Sequence, residues 1–201
     1  MEEKEAILKE IKKYALENHV PILQDVSLDL ILLILKLKKP NNILEVGTAI
    51  GYSAINFSKY LDGENRHILT IEKSNEMYGI AISNISKMGL EDIIRVENAD
   101  ATIYLETLDE KKEQFDIIFI DAAKGQYLKF LDNALRLIKT GGVIIADNVY
   151  FKGRVLSGYN EHRHRTATNR LREYLKIVNE RNDLDTTVFN IGDGVAVSIK
   201  K

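Results

Sequence analysis

Apolar residues recur along this chain in two rhythms, and the change from one to the other sets the expected elements. Over residues 2–18 the apolar positions Ile7, Leu8, Ile11 and Ala15 share one side with charges elsewhere, which predicts an amphipathic helix broken at Pro21. Residues 27–37 are apolar nearly all round and predict a second, buried helix, closed off by Pro40, Asn41 and Asn42. From residue 43 the rhythm alternates. Runs rich in Ile, Val and Phe at 43–46, 67–71, 93–96, 115–120 and 143–146 predict strands buried on both faces. Helical stretches lie between them at 53–61, 74–88, 101–108 and 127–138. Ser74 is placed to cap a helix, and Gly89 and Gly141 stand where helices commonly end.

The tail departs from this alternation. A helix over 168–178 precedes apolar runs at 186–191 and 195–199, and Asp193-Gly194 between them predicts an antiparallel hairpin. The expected fold class is therefore α/β, a mostly parallel seven-stranded sheet with an antiparallel hairpin strand at its C-terminal end. No repeat or linker divides it, so residues 1–201 are expected to form a single domain, with 1–40 as a helical lead-in.

Composition changes the picture in two places. The net charge is −2, yet residues 152–176 hold seven Lys/Arg against Glu161 and Glu173, a local +5 beside an otherwise acidic chain. There is no cysteine, which excludes disulfides, thiolate zinc sites and a cysteine nucleophile. The N-terminus is acidic and the greasiest run, 30–35, is far short of a membrane span, so the expectation is a cytoplasmic protein with no membrane partner.

Candidate chemistry gathers at the strand ends, where an open parallel sheet binds its ligands. The first turn reads Glu45-x-Gly47-x-x-x-Gly51, without the glycine spacing that receives a pyrophosphate, so a cofactor lacking phosphates fits better. Glu45 can face a positively charged amino or sulfonium group there. Glu72 ends the second strand, where an acid accepts ribose hydroxyls, and Asp100 and Ala101 follow the third, where an adenine edge would be held. Asp121 ends the fourth strand and Asp147-Asn148 the fifth; two carboxylates and an amide oxygen suit Mg²⁺, Ca²⁺ or Mn²⁺. Lys124, in the loop after Asp121, is placed to take a proton from a substrate hydroxyl. The plainer alternatives are solvated strand-end acids, helix caps and a solvated loop lysine.

At these residues the chain resembles the Mg²⁺-dependent O-methyltransferase family that includes catechol and caffeoyl-coenzyme A O-methyltransferases. The resemblance runs from His19-Val20-Pro21 to Gly192-Asp193-Gly194. It implies a Rossmann-like class I fold, S-adenosylmethionine as methyl donor, Mg²⁺, and a homodimer. By the same resemblance Asp121, Asp147 and Asn148 bind the metal, and Lys124 with Asp121 forms the catalytic pair. Leu23, Glu45, Gly47, Ser53, Glu72, Asp100, Ala101 and Asp121 line the cofactor site. Within the family, Asn18-His19-Val20-Pro21-Ile22, the block from Gly47 to Ile55, Asp121-Ala122-Ala123-Lys124-Gly125-Gln126-Tyr127, Asp147-Asn148-Val149 and Phe151-Lys152-Gly153 are similar to members that methylate tRNA. That implies a tRNA partner and conversion of wobble 5-hydroxyuridine to 5-methoxyuridine. Lys152, Arg154, Arg163, His164 and Arg165 would then hold RNA phosphates. The rivals are the same chemistry on a small catechol-like compound, a solvated basic face, a non-catalytic RNA-binding module, and, more distantly, a nicotinamide dehydrogenase.

Overall fold

The computed structural model describes residues 2–157 and 162–201. By its internal contacts the chain forms two compact units, residues 1–100 and 101–201. The division falls between Asp100 and Ala101, two neighbours expected to serve one cofactor.

The first unit opens with α1 (Glu2–Glu17) and α2 (Asp25–Lys38), then β1 (Asn42–Val46), α3 (Tyr52–Phe57), β2 (His67–Glu72), α4 (Asn75–Lys87) and β3 (Ile94–Asn98). Its strands run parallel in the order β3-β2-β1, with Glu45 level with Thr70 and Glu72 level with Asn98. Ile43, Leu44, Ile68 and Ile71 are buried, as continuous apolar strands require, whereas β3 alternates buried and exposed residues. Ser74 caps α4 by accepting the Met77 N–H.

The second unit contains α5 (Ala101–Glu110), β4 (Phe115–Ile120), α6 (Tyr127–Leu137), β5 (Ile138–Ala146), α7 (Arg165–Glu180), β6 (Leu184–Phe189) and β7 (Val195–Lys200). Strand order is β4-β5-β7-β6; β5 is parallel to β4, and β7 is antiparallel to both β5 and β6. The hairpin is therefore real, and its second strand lies inside this sheet rather than at its edge. The expected elements are present throughout, displaced by a few residues at their ends.

Two expectations fail. Helix α2 is not buried all round: Ser27, Leu28, Ile31 and Leu35 are covered, but Val26, Leu33 and Leu37 are exposed. Gly141 does not end a helix. α6 passes directly into β5 at Ile138, and the register between β4 and β5 jumps from Phe115↔Ile138 to Ile117↔Val143. Gly141, at φ +74°, lies in the bulge that absorbs the extra residues. No described helix is long and apolar enough to cross a membrane.

Candidate active site

In the first unit, β1 ends in a turn that demands a left-handed backbone: Gly47 has φ +102°, a conformation closed to residues with a side chain. Its N–H bonds the Ile71 carbonyl at 3.1 Å, tying the turn to β2. Glu45 is buried, not a solvated strand-end acid. It has no exposed surface and accepts hydrogen bonds from Ser53 Oγ and, at 2.5 Å, from Thr70 Oγ1. Burying a carboxylate is costly unless it is well bonded, and here the hydroxyls meet that need. Glu45 thus braces the turn from beneath, with Thr48 joining Thr70 at 2.6 Å.

Glu72 is the acid presented at the strand ends. Its two oxygens accept the Ala49 N–H at 2.9 Å and the Ser74 N–H at 2.7 Å, which fixes the carboxylate and leaves lone pairs for further donors. Asp100 is paired with Lys73 at 2.7 Å on the surface. Leu23 is buried, and Ala101 starts α5 in the second unit.

In the second unit the strand register does the assembling. Ile120 is level with Ala146, and the Asp147 N–H bonds the Ile120 carbonyl at 3.0 Å, so Asp121 and Asp147 leave the sheet side by side. Asn148 follows at φ +54°, a left-handed position that asparagine tolerates, and its amide donates to Asp147 Oδ2 at 3.0 Å. The Lys124 ammonium donates to Asp121 Oδ1 at 2.9 Å, Asn148 Oδ1 at 3.1 Å and the Tyr127 hydroxyl at 2.9 Å. Two of the three expected metal-ligand side chains therefore already converge on one cation. Among the described residues no group of three His, Cys, Asp or Glu side chains gathers as a metal site. The set is instead two carboxylates and an amide, all hard oxygen donors, and it fits a cation such as Mg²⁺.

A model of the O-methyltransferase family matches residues 1–201. The chain belongs to that family. A catechol O-methyltransferase of Niastella koreensis is 33% identical over 175 residues, covering 84% of this chain and 77% of its own. A caffeoyl-CoA O-methyltransferase of Populus kitakamiensis is 29% identical, covering 82% of this chain and 72% of its own. The crystal structure of a Bacillus cereus O-methyltransferase in complex with SAH superposes with a TM-score of 0.87 at 27% identity, covering 98% of this chain and 91% of that one. The fold class is the expected one, Rossmann-like with seven strands, mostly parallel and ending in an antiparallel pair.

Two residues of this O-methyltransferase lie within quoted motifs that do not announce what they touch. Tyr127 looks like an ordinary apolar start to a helix, yet its hydroxyl accepts from Lys124 and donates to the Asp147 carbonyl at 2.7 Å. Burial first, then the carboxylates of Asp121 and Asp147, hold this phenol well above its ordinary pKa, so it stays protonated. Asp193 reads as a hairpin residue. Its carboxylate accepts the Lys152 N–H at 2.6 and 2.7 Å, and its carbonyl accepts the Tyr150 N–H at 2.8 Å, so the hairpin clamps the loop that carries Asn148.

Gly194 completes that clamp at φ +85°, with its missing Cβ only 2.5 Å from the Tyr150 ring. Gly194→Ala should therefore cost about 2–4 kcal/mol of stability, from the left-handed backbone and the overpacking together. A denaturant midpoint unchanged from wild type would contradict the clamp.

The basic segment is divided by the structure. Arg172 is spent internally, donating to the carbonyls of Arg154, Val155 and Ser157, and Arg170 pairs with Glu173 at 3.1 Å. Arg154 lies 5.2 Å over the Phe151 ring, and His164 meets the same ring edge-on. Lys152, Arg163 and Arg165 are exposed. Residues 158–161, with Glu161, lie outside the described residues.

Proposed function

We propose that this O-methyltransferase moves a methyl group from S-adenosylmethionine to one of two adjacent oxygens, and that its substrate is 5-hydroxyuridine at the wobble position of tRNA. The convergence of Asp121, Asn148 and Lys124, with Asp147 alongside, is the observation that carries the reading. Glu72, held by two backbone N–H groups beside the Gly47 turn, is the group suited to the ribose hydroxyls of the donor. The SAH in the Bacillus cereus structure supports that donor.

Asp121, Asp147 and Asn148 would hold Mg²⁺. When bound, the ion supplies Lewis-acid stabilisation of charge developing on oxygen. Lys124 Nζ is placed to take the hydroxyl proton. The oxygen lone pair attacks the sulfonium methyl; the C–O bond forms as the C–S bond breaks, and the electron pair stays on sulfur as a thioether. The residues contribute chiefly orientation and the exclusion of water.

The exposed Lys152, Arg163 and Arg165 support the tRNA substrate, since they supply positive charge shortly after the metal-binding residues. A wobble base is already single-stranded, so extruding it costs little. The second reading is a small catechol-like compound, favoured by the names of the Niastella and Populus relatives. Nucleoside mass spectrometry of tRNA from cells with and without the protein separates them. Loss of 5-methoxyuridine is expected; unchanged tRNA with turnover of a simple catechol would favour the second.

Replacing Arg163 and Arg165 with alanine should weaken tRNA binding and flatten its salt dependence by roughly 1–2 in log–log slope. Affinity for S-adenosylmethionine should not move. Identical slopes for wild type and double variant would reduce the basic segment to a solvated face.

A further inference from the structure

Helices α1 and α4 meet along a cavity rather than a closed seam. Lys4 Nζ lies 3.9 Å from the position a Cβ on Gly89 would take, so α1 begins where α4 ends. To a space of about 650 Å³ between them α1 contributes Ile7, Glu10, Ile11 and Tyr14, and α4 contributes Glu76, Gly79, Ile80, Ser83, Asn84 and Lys87. Each set keeps the three-and-four spacing of a single helix face. Two facing helix stripes ordinarily bury apolar side chains against each other. Here the α4 stripe is largely polar and carries a glycine in mid-helix, where it is less stable than alanine. No atom lies within 4 Å of the Cβ that Gly79 lacks, so close packing does not call for it. What the glycine does is keep the space open.

The polar groups lining this space are chiefly acceptors. Asn84 is only 7% exposed, and its Nδ2 donates to the Ile50 carbonyl at 3.0 Å, which fixes the amide and leaves Oδ1 without a donor among the described residues. An acceptor so deeply placed is costly to leave unpaired. Glu10 and Glu76 also have no ion pair or hydrogen bond among the described residues, while Lys12, Lys13 and Lys73 are engaged by Asp25, Glu17 and Asp100. Lys87 stands at the far end of α4 from Glu76. Apolar surface separates the acceptors: Ile7, Ile11 and Ile80 supply aliphatic walls, and Tyr14 an aromatic ring suited to a cation. An anion would meet two carboxylates here, and a bare metal ion would have no use for the isoleucine walls. The match is a ligand with several N–H donors, positive charge at more than one point, and methylene segments between.

We infer that the cavity between α1 and α4 is a binding site for a linear polyamine, with charged nitrogens at Glu10 and Glu76, an N–H donated to Asn84 Oδ1, and methylene segments against Ile7, Ile11 and Ile80. The site uses none of the residues assigned to methyl transfer and stands apart from that reading.

Titration calorimetry of the full chain with spermidine tests it. Wild type should bind spermidine saturably and at least about tenfold more tightly than butylamine or Mg²⁺, which offer a single charged nitrogen or no methylenes. Gly79→Leu fills the cavity from an open helix position and should weaken binding by more than about 30-fold. Its melting temperature should be retained or raised, because leucine favours a helix over glycine. Glu10→Gln and Glu76→Gln, both at exposed positions, should each weaken binding by about tenfold. Glu72→Ala should leave spermidine affinity unchanged, since the ligand does not sit at the strand ends. No saturable binding, Mg²⁺ bound as tightly as spermidine, or an affinity that follows Glu72 and ignores Gly79, Glu10 and Glu76 would each overturn the inference. Calorimetry of S-adenosylmethionine on the Gly79→Leu protein keeps the two proposals apart. Retained cofactor binding with lost spermidine binding leaves the functional reading intact, and spermidine binding without methyl transfer strikes only that reading.

Discussion

Asp147→Ala is expected to lower kcat by at least about a thousandfold while leaving S-adenosylmethionine affinity nearly unchanged. Asp147 is buried at the end of β5, set beside Asp121 by the β4–β5 register, and it accepts the amide of Asn148. Removing it takes one carboxylate from the oxygen set and releases the side chain that orients a second donor. The loss should fall on the chemical step, seen in single-turnover kinetics, if these groups hold the metal as proposed. Asp147→Asn keeps the volume and should retain the fold while still losing turnover. In wild type a chelator should abolish activity and Mg²⁺ should restore it. Full activity in excess chelator would refute the metal-assisted reading.

Glu72→Ala should weaken S-adenosylmethionine binding by about 1–3 kcal/mol, roughly tenfold to a hundredfold, because donors that meet the carboxylate in the complex lose their acceptor. The change also releases the Ala49 and Ser74 N–H groups, and Ala49 sits at φ +47° in the turn between Gly47 and Gly51. Glu72→Gln retains one carbonyl acceptor and should fall between the two. Calorimetry at matched folded fraction gives the comparison. Undiminished affinity in the alanine variant would remove Glu72 from the ribose role, and equally tight NAD binding would contradict the donor itself.

The strand-end residues were legible because each belongs to a local pattern: an apolar run stops and an acid or a glycine follows. Asp121, Asp147 and Glu72 all lie where that pattern puts them. Glu45 has the same local signature and a different environment. What buries it is Thr70 on β2 and Ser53 on α3, partners 25 and 8 residues away that no strand-end rule weighs. Tyr127 and Asp193 were hidden for a related reason. Their apolar or turn-forming neighbourhoods account for them fully, until the fold brings Lys124 to one and the backbone of Lys152 to the other.

Periodicity alone determined that a helix spans about residues 27–37, that five strands alternate with helices, and that a hairpin closes the chain, since these follow from side-chain spacing along a single element. It could not determine which side of α2 is covered, because nearly every position there is apolar and either face satisfies the pattern. Nor could it place the bulge at Gly141, which arises where α6 runs straight into β5 and the paired strands fall out of step. The meeting of Asp121, Asn148 and Lys124 likewise belongs to the tertiary structure. It depends on Ile120 lying level with Ala146, a register set by how two separate segments pack, and burial energy is gained only when both are in place.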